Sequence, residues 1–188
     1  IQVEPHAPSL RAEIRKAQVQ AEHGLERRRD ALIAQPDTHL LKPQRVERQA
    51  AEIVKDPWEL RHRFIHVMQG QISLEDLASD MAGRHIERED VERMNLLLNA
   101  QNERQRMFTC CGWFFEDFDR IEPRNAVAYA AQAIWLTQVA TGIDLSAKAS
   151  TWLRAVKSWR SETSADTVFG NTLERARQNP AMAMKYKP

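Results

Sequence analysis

FTCCGWFFEDFDRIE, from Phe108 to Glu122, is the stretch from which the fold of this chain is best read. It holds five aromatic side chains, four acids, an adjacent cysteine pair and one glycine in fifteen residues. On its upstream side, from about Glu87 towards Cys110, Val91, Met94, Leu97 and Leu98 recur at helical steps, and a polar run follows from Asn99 to Arg106. On its downstream side Pro123 opens a segment reading AVAYAAQAIWL, almost free of charge as far as Ala140, before Gly142. Such a helix is expected to be buried on most sides and closely approached by its neighbours. The stretch is therefore a joint between two helices, and Gly112 is expected to turn the backbone sharply between them.

The helical period continues outward in both directions. Asp56-Pro57 is an N-cap followed by proline at the first helical position, and starts a helix to about Gln71 carrying Leu60, Phe64 and Val67. Ser73 caps a short helix through Met81 that Gly83 ends. A helix from Gln44 to Lys55 precedes these, and one capped by Ser9 runs to about Gln35, with Pro36 to Pro43 as linker. Beyond the joint, a helix from Ser146 to Arg160 places Trp152, Val156 and Trp159 at core spacing. A last one covers Ala165 to Gln178, and Asn179-Pro180 stops it. No strand pattern emerges, so the expectation is an all-α, single-domain bundle of about seven or eight helices. The organisation expected is an N-terminal helix and linker over 1–43, the helical domain over 44–179, and a tail over 180–188.

The length of 188 residues allows one real core and leaves little room for a second. With 27 Lys+Arg against 26 Asp+Glu there is no global charge to favour nucleic acid or an anionic membrane. The charges are unevenly placed: Ser73 to Glu122 carries twelve acids and six bases, whereas Pro123 to the end carries four acids and nine bases. No apolar run approaches a membrane span, and no signal peptide is visible. Ile1 in place of an initiating Met allows the chain to be an excerpt of a longer one. The only cysteines, Cys110 and Cys111, are neighbours, which is poor disulfide geometry. Reduced thiols, buried and unreactive, in a cytoplasm are expected of them.

Three groups of residues are candidates for a site. Trp113, Phe114 and Phe115, followed by Glu116 and Asp117, set aromatic faces beside carboxylates, which suits a sugar with its C–H face and rim of hydroxyls, or a cation over indole. The alternative is that Trp113 and Phe114 plug the core while the acids serve the N-terminus of the next helix. His62 and His66 share a helix face, but no third metal ligand follows, so a surface or hydrogen-bonded pair is expected and no metal or cofactor is called for. Asn95, Asn99, Asn102 and Arg106 form a polar stripe that either lines a cleft or faces solvent. Asp117 with Glu122 would serve as a catalytic pair only if both faced one pocket at roughly 5 to 10 Å.

MFTCCGWFFED from Met107 to Asp117, then Ile121-Glu122 and YAAQAI from Tyr129 to Ile134, together with DPW at Asp56 to Trp58, Arg61 and Ile65, resembles the uncharacterised helical domain found C-terminal to glycoside hydrolase family 57 catalytic domains. The resemblance spans about Gln44 to Ala140, and departs from the usual pattern at Cys110, where serine is more frequent. It implies α-glucan metabolism, in the bacterial cytoplasm, through a (β/α) barrel that holds a glutamate nucleophile and an aspartate acid/base. That barrel is not in this chain, so no catalytic residue is assigned and the chain alone is expected to be inactive. The barrel, in the same natural chain or a partner, is the expected partner. Trp113, Phe114, Phe115, Glu116 and Asp117 are then expected to form a carbohydrate-binding wall. The competing expectation is a scaffold or protein-interaction module with the CGWFF segment buried.

Overall fold

The computed structural model describes residues 53–114 and 117–179, with Trp113 and Phe114 given by backbone alone. The expected helix from Ser9, the linker 36–43, the tail 180–188 and the residues Phe115 and Glu116 lie outside the described residues. Among the described residues the only regular elements are helices, joined by turns and loops, with one isolated bridge between Lys157 and Ser164. Six helices have eight or more residues: α1 Pro57–Met68, α2 Leu74–Ala82, α3 Arg88–Arg106, α5 Ile121–Thr141, α6 Ser146–Leu153 and α7 Ala165–Gln178. A single turn, α4 Cys111–Phe114, lies between α3 and α5. The described residues thus carry six full helices, short of the seven or eight expected of the whole chain. Of the expected helix 44–55, residues 53–55 are described and are not helical.

Local signals account for the first half. The Asp56 carboxylate accepts from the Trp58 and Glu59 amides, both at 3.0 Å, with Pro57 at the first helical position. The Ser73 hydroxyl accepts from the Asp76 amide at 3.0 Å, and Gly83 ends α2 in the left-handed conformation that a side chain would resist. Leu60 and Phe64 of α1, Leu74, Leu77 and Ala78 of α2, and Val91, Met94 and Leu98 of α3 close around Ile86 as one apolar core.

The second half forms around α5. Six consecutive residues, Ala131 to Leu136, are buried, so this part of the helix is enclosed on all sides. It packs against both α3 and α7. Ala100, Ala131, Ile134, Trp135, Leu136, Leu145, Phe169, Leu173 and Ala176 make the second core. α3 is the element common to both.

α6 corrects the sequence reading. It ends at Leu153, not Arg160, and Trp152 and Trp159 are 46% and 67% exposed rather than core. Past Leu153 the chain folds back on itself: the Ser158 amide donates to the Thr163 carbonyl at 2.9 Å and the Ala165 amide to the Val156 carbonyl at 2.8 Å. These cross-loop bonds replace the helical ones the spacing of the tryptophans had implied.

Candidate functional site

The joint begins where α3 tightens. The Phe108 amide donates to the Gln105 carbonyl and the Thr109 amide to the Arg106 carbonyl, three residues back, so the helix stops at Arg106 instead of reaching Cys110. One further turn-closing bond, from the Gly112 amide to the Thr109 carbonyl, leads into α4. Gly112 lies inside α4 and does not adopt a left-handed φ, contrary to the sharp turn expected of it. Its requirement is space: a Cβ there would stand 3.2 Å from the Ala126 Cβ and 3.6 Å from the Glu122 carbonyl oxygen. The glycine lets α4 approach the first turns of α5 closely.

The far side of the joint is fastened by a different chemistry. Asp117 is 4% exposed, and its carboxylate accepts from the Ser158 hydroxyl at 3.1 Å and the Trp159 amide at 3.3 Å, with Arg160 Nε at 3.8 Å. The Ser158 oxygen in turn accepts from the Arg160 and Ser161 amides at 3.0 and 3.1 Å. A buried carboxylate with this many donors is a clamp on the 158–161 loop. Phe118, the next residue, is buried as well. Asp119 lies 3.8 Å from Arg124, and Glu122 sits in the first turn of α5, but no side chain caps that helix with a hydrogen bond.

Above the joint, the polar stripe of α3 divides: Asn95 and Asn99 are buried, Asn102 is half-buried and Arg106 is exposed. Gln101 and Glu103, outside the stripe, are buried too, as is Gln132 of α5. Asn99 Nδ2 donates to the Asn95 carbonyl and Oδ1, both at 2.9 Å. Glu103, 2% exposed, accepts from Arg106 at 2.9 Å. Arg106 also donates to the Tyr129 hydroxyl at 3.1 Å, its guanidinium 4.1 Å from the ring centre. Burial works against the charge on Arg106, yet the Glu103 carboxylate and Tyr129 together hold its pKa above the ordinary value. The line Glu103–Arg106–Tyr129 thus ties the end of α3 to α5.

Of the five residues expected to form a carbohydrate-facing wall, Asp117 is drawn inward as the clamp. The side chains of Trp113 and Phe114, and Phe115 and Glu116 entirely, are outside the described residues. Asp117 and Glu122 do not work as a pair here, because the Asp117 oxygens are taken up by Ser158, Trp159 and Arg160. The cysteines differ from the expectation of burial: both are exposed, with Sγ atoms 4.0 Å apart. His62 stacks on Trp58 with ring centres 6.4 Å apart, and His66 Nδ1 lies 2.6 Å from Gln71 Oε1, so each ring has its own neighbour.

One surface went unread in the sequence. Trp58, Ile65 and Met68 share an exposed face of α1, with the Arg61 guanidinium 5.2 Å from the Trp58 ring centre. Arg104, over the exposed Phe108 at 5.7 Å, continues it: burial lowers the Arg104 pKa, and the nearby Arg61 charge lowers it further. The sequence signal is the steps of seven and three from Trp58 to Ile65 to Met68.

Residues 40–186 match the family described as Domain of unknown function (DUF3536). The chain belongs to this family. No curated protein and no solved structure matches the sequence or the fold. Among the described residues no helix is long and apolar enough to cross a membrane.

Proposed function

We propose that this member of the DUF3536 family is the accessory helical domain of a family 57-like glycoside hydrolase acting on α-glucans. It packs against a (β/α) catalytic barrel and contributes an aromatic and acidic wall to the substrate cleft. One observation carries the reading: the aromatic stretch is anchored at both ends, by the close approach of Gly112 to Ala126 and by the Asp117 clamp on Ser158 and Trp159. Fixing the flanks of a binding segment lowers the entropy lost when a ligand orders it. Asp117 is used in the anchoring, so Trp113, Phe114, Phe115 and Glu116 are the residues proposed to meet the sugar. Catalysis belongs to the barrel, in the bacterial cytoplasm, and this chain needs neither metal nor cofactor.

A second reading, a protein-interaction module with no carbohydrate role, draws on the exposed α1 face of Trp58, Ile65 and Met68. Titration with maltooligosaccharides, followed by tryptophan fluorescence in the intact chain and in Trp113→Ala, separates the two. A folded variant that loses the response supports the cleft wall. A variant that unfolds, with a wild type that never responded, leaves the interaction module. Measurable amylase or branching turnover by the purified chain would refute the non-catalytic assignment.

A further inference from the structure

Cys110 and Cys111 are the only thiols of the chain, both are exposed, and their sulfurs already lie 4.0 Å apart at the entrance to α4. We infer that this adjacent pair is a reversible oxidation site that closes to a vicinal disulfide by exchange with a low-molecular-weight disulfide. Closure would bring the sulfurs from 4.0 Å to about 2.05 Å. In the first step one cysteine thiolate attacks a sulfur of the small disulfide, forming a mixed disulfide and expelling one small thiolate. In the second, the neighbouring cysteine attacks the protein sulfur of that mixed disulfide and expels the other small thiolate. Two electrons leave the cysteine pair, the small disulfide is reduced to two thiols, and the two cysteine protons are taken up by the expelled thiolates.

Proximity decides the second step. A neighbour at 4.0 Å competes for the mixed disulfide as an intramolecular nucleophile, so the adduct does not accumulate. The pair also has a geometric reason to be labile. Consecutive Cα atoms are about 3.8 Å apart across a trans peptide, shorter than the usual span of about 4.4–6.8 Å, so the ring is strained and easily reduced. In the reduced state the Cys110 sulfur holds the Cys111 thiol above its ordinary pKa by hydrogen bonding, so attack by Cys111 is faster in alkali. The ring twists the Cys110–Cys111 peptide, directly before Gly112, whose fit against Ala126 tolerates little displacement. Oxidation is therefore expected to loosen the contact between α4 and α5.

The test is incubation of the intact chain with oxidised glutathione, followed by thiol counting and intact mass. The expected product has lost both free thiols and two hydrogen atoms, carries no adduct, forms no disulfide link between chains, and regains both thiols with dithiothreitol. Cys110→Ser and Cys111→Ser should each stop at a stable glutathione adduct. Stable adducts on the wild type, disulfide-linked dimers, thiols that stay free, or loss of two hydrogens in either serine variant would each overturn the inference. Amide exchange at Gly112 and Ala126 should rise in the oxidised form, and unchanged exchange would refute the loosening. None of these readouts involves a glucan, so the inference stands or falls independently of the proposed function.

Discussion

α3 passes through two interiors of opposite character. Its first half sets Val91 and Met94 among the apolar side chains of α1 and α2. Its second half buries Asn99, Gln101 and Glu103. Apolar burial is non-directional and tolerates shifts of register, whereas a buried amide or carboxylate is satisfied only in one arrangement. In the polar half one such bond crosses to α5, from Arg106 to the Tyr129 hydroxyl at 3.1 Å, and with it the end of α3 is held where the chain enters the cysteine turn and α4. The apolar half supplies the stability that makes this placement permanent.

Breaking the apolar half should have the largest effect. Met94 is 2% exposed, and Met94→Ala removes most of a buried side chain and leaves a cavity, with an expected loss of about 2–5 kcal/mol. Urea unfolding at constant m-value is the measurement, and a loss under about 1 kcal/mol would mean that the half repacks as a soft core.

The polar half should answer asymmetrically. Arg106→Ala takes the cation from a carboxylate that is 2% exposed, whereas Glu103→Gln leaves behind a guanidinium that is 48% exposed and able to turn to water. The first is expected to cost about 1–3 kcal/mol, discounted for the exposure of Arg106, and the second less. The two single variants and the double variant, compared by denaturant unfolding, give the coupling directly. Glu103→Gln costing more than Arg106→Ala would mean that the carboxylate, not the pairing, holds the seam.

Which features the sequence disclosed depends on whether their cause is local. Asp56-Pro57, Ser73 and Gly83 act within a few residues of themselves, and the ends of α1 and α2 fall close to where those signals put them. Asn179 likewise closes α7 at Gln178. The failures have causes far away in sequence. Trp152, Val156 and Trp159 keep helical spacing, but Asp117 collects the Ser158 hydroxyl and Trp159 amide from 41 and 42 residues away, and the helix gives way to a loop. Gly112 looked like a turn residue because its partner, Ala126, belongs to another helix. The polar stripe was seen, but spacing cannot tell a solvated face from one covered by α5. At the candidate site, therefore, the aromatic stretch was legible and the anchors that flank it were not.

The smallest expected effect sets a charged contact outside α3 against its apolar half, by pH. Asp144, at the entrance to α6, accepts from the Ser146 amide at 2.8 Å and from Arg177 at 3.3 Å. Hydrogen bonds from Ser146, and then the Arg177 charge, hold its carboxyl below the ordinary carboxylate value. A carboxyl depressed in the folded state contributes stability that is present above the unfolded value of about 3.9 and is lost as pH falls through the lower folded value. The Asp144 side chain is 45% exposed, so solvent screens much of this and the contribution is small. Asp144→Asn should thus be slightly less stable than the wild type near pH 6, with the gap closing towards about pH 3 and below. The deficit of Met94→Ala comes from a cavity and contains no proton, so it should stay constant over the same range in parallel thermal melts. A gap for Asp144→Asn that did not narrow in acid would show that the Asp144 contact works through its shape and hydrogen bonding alone, without its charge.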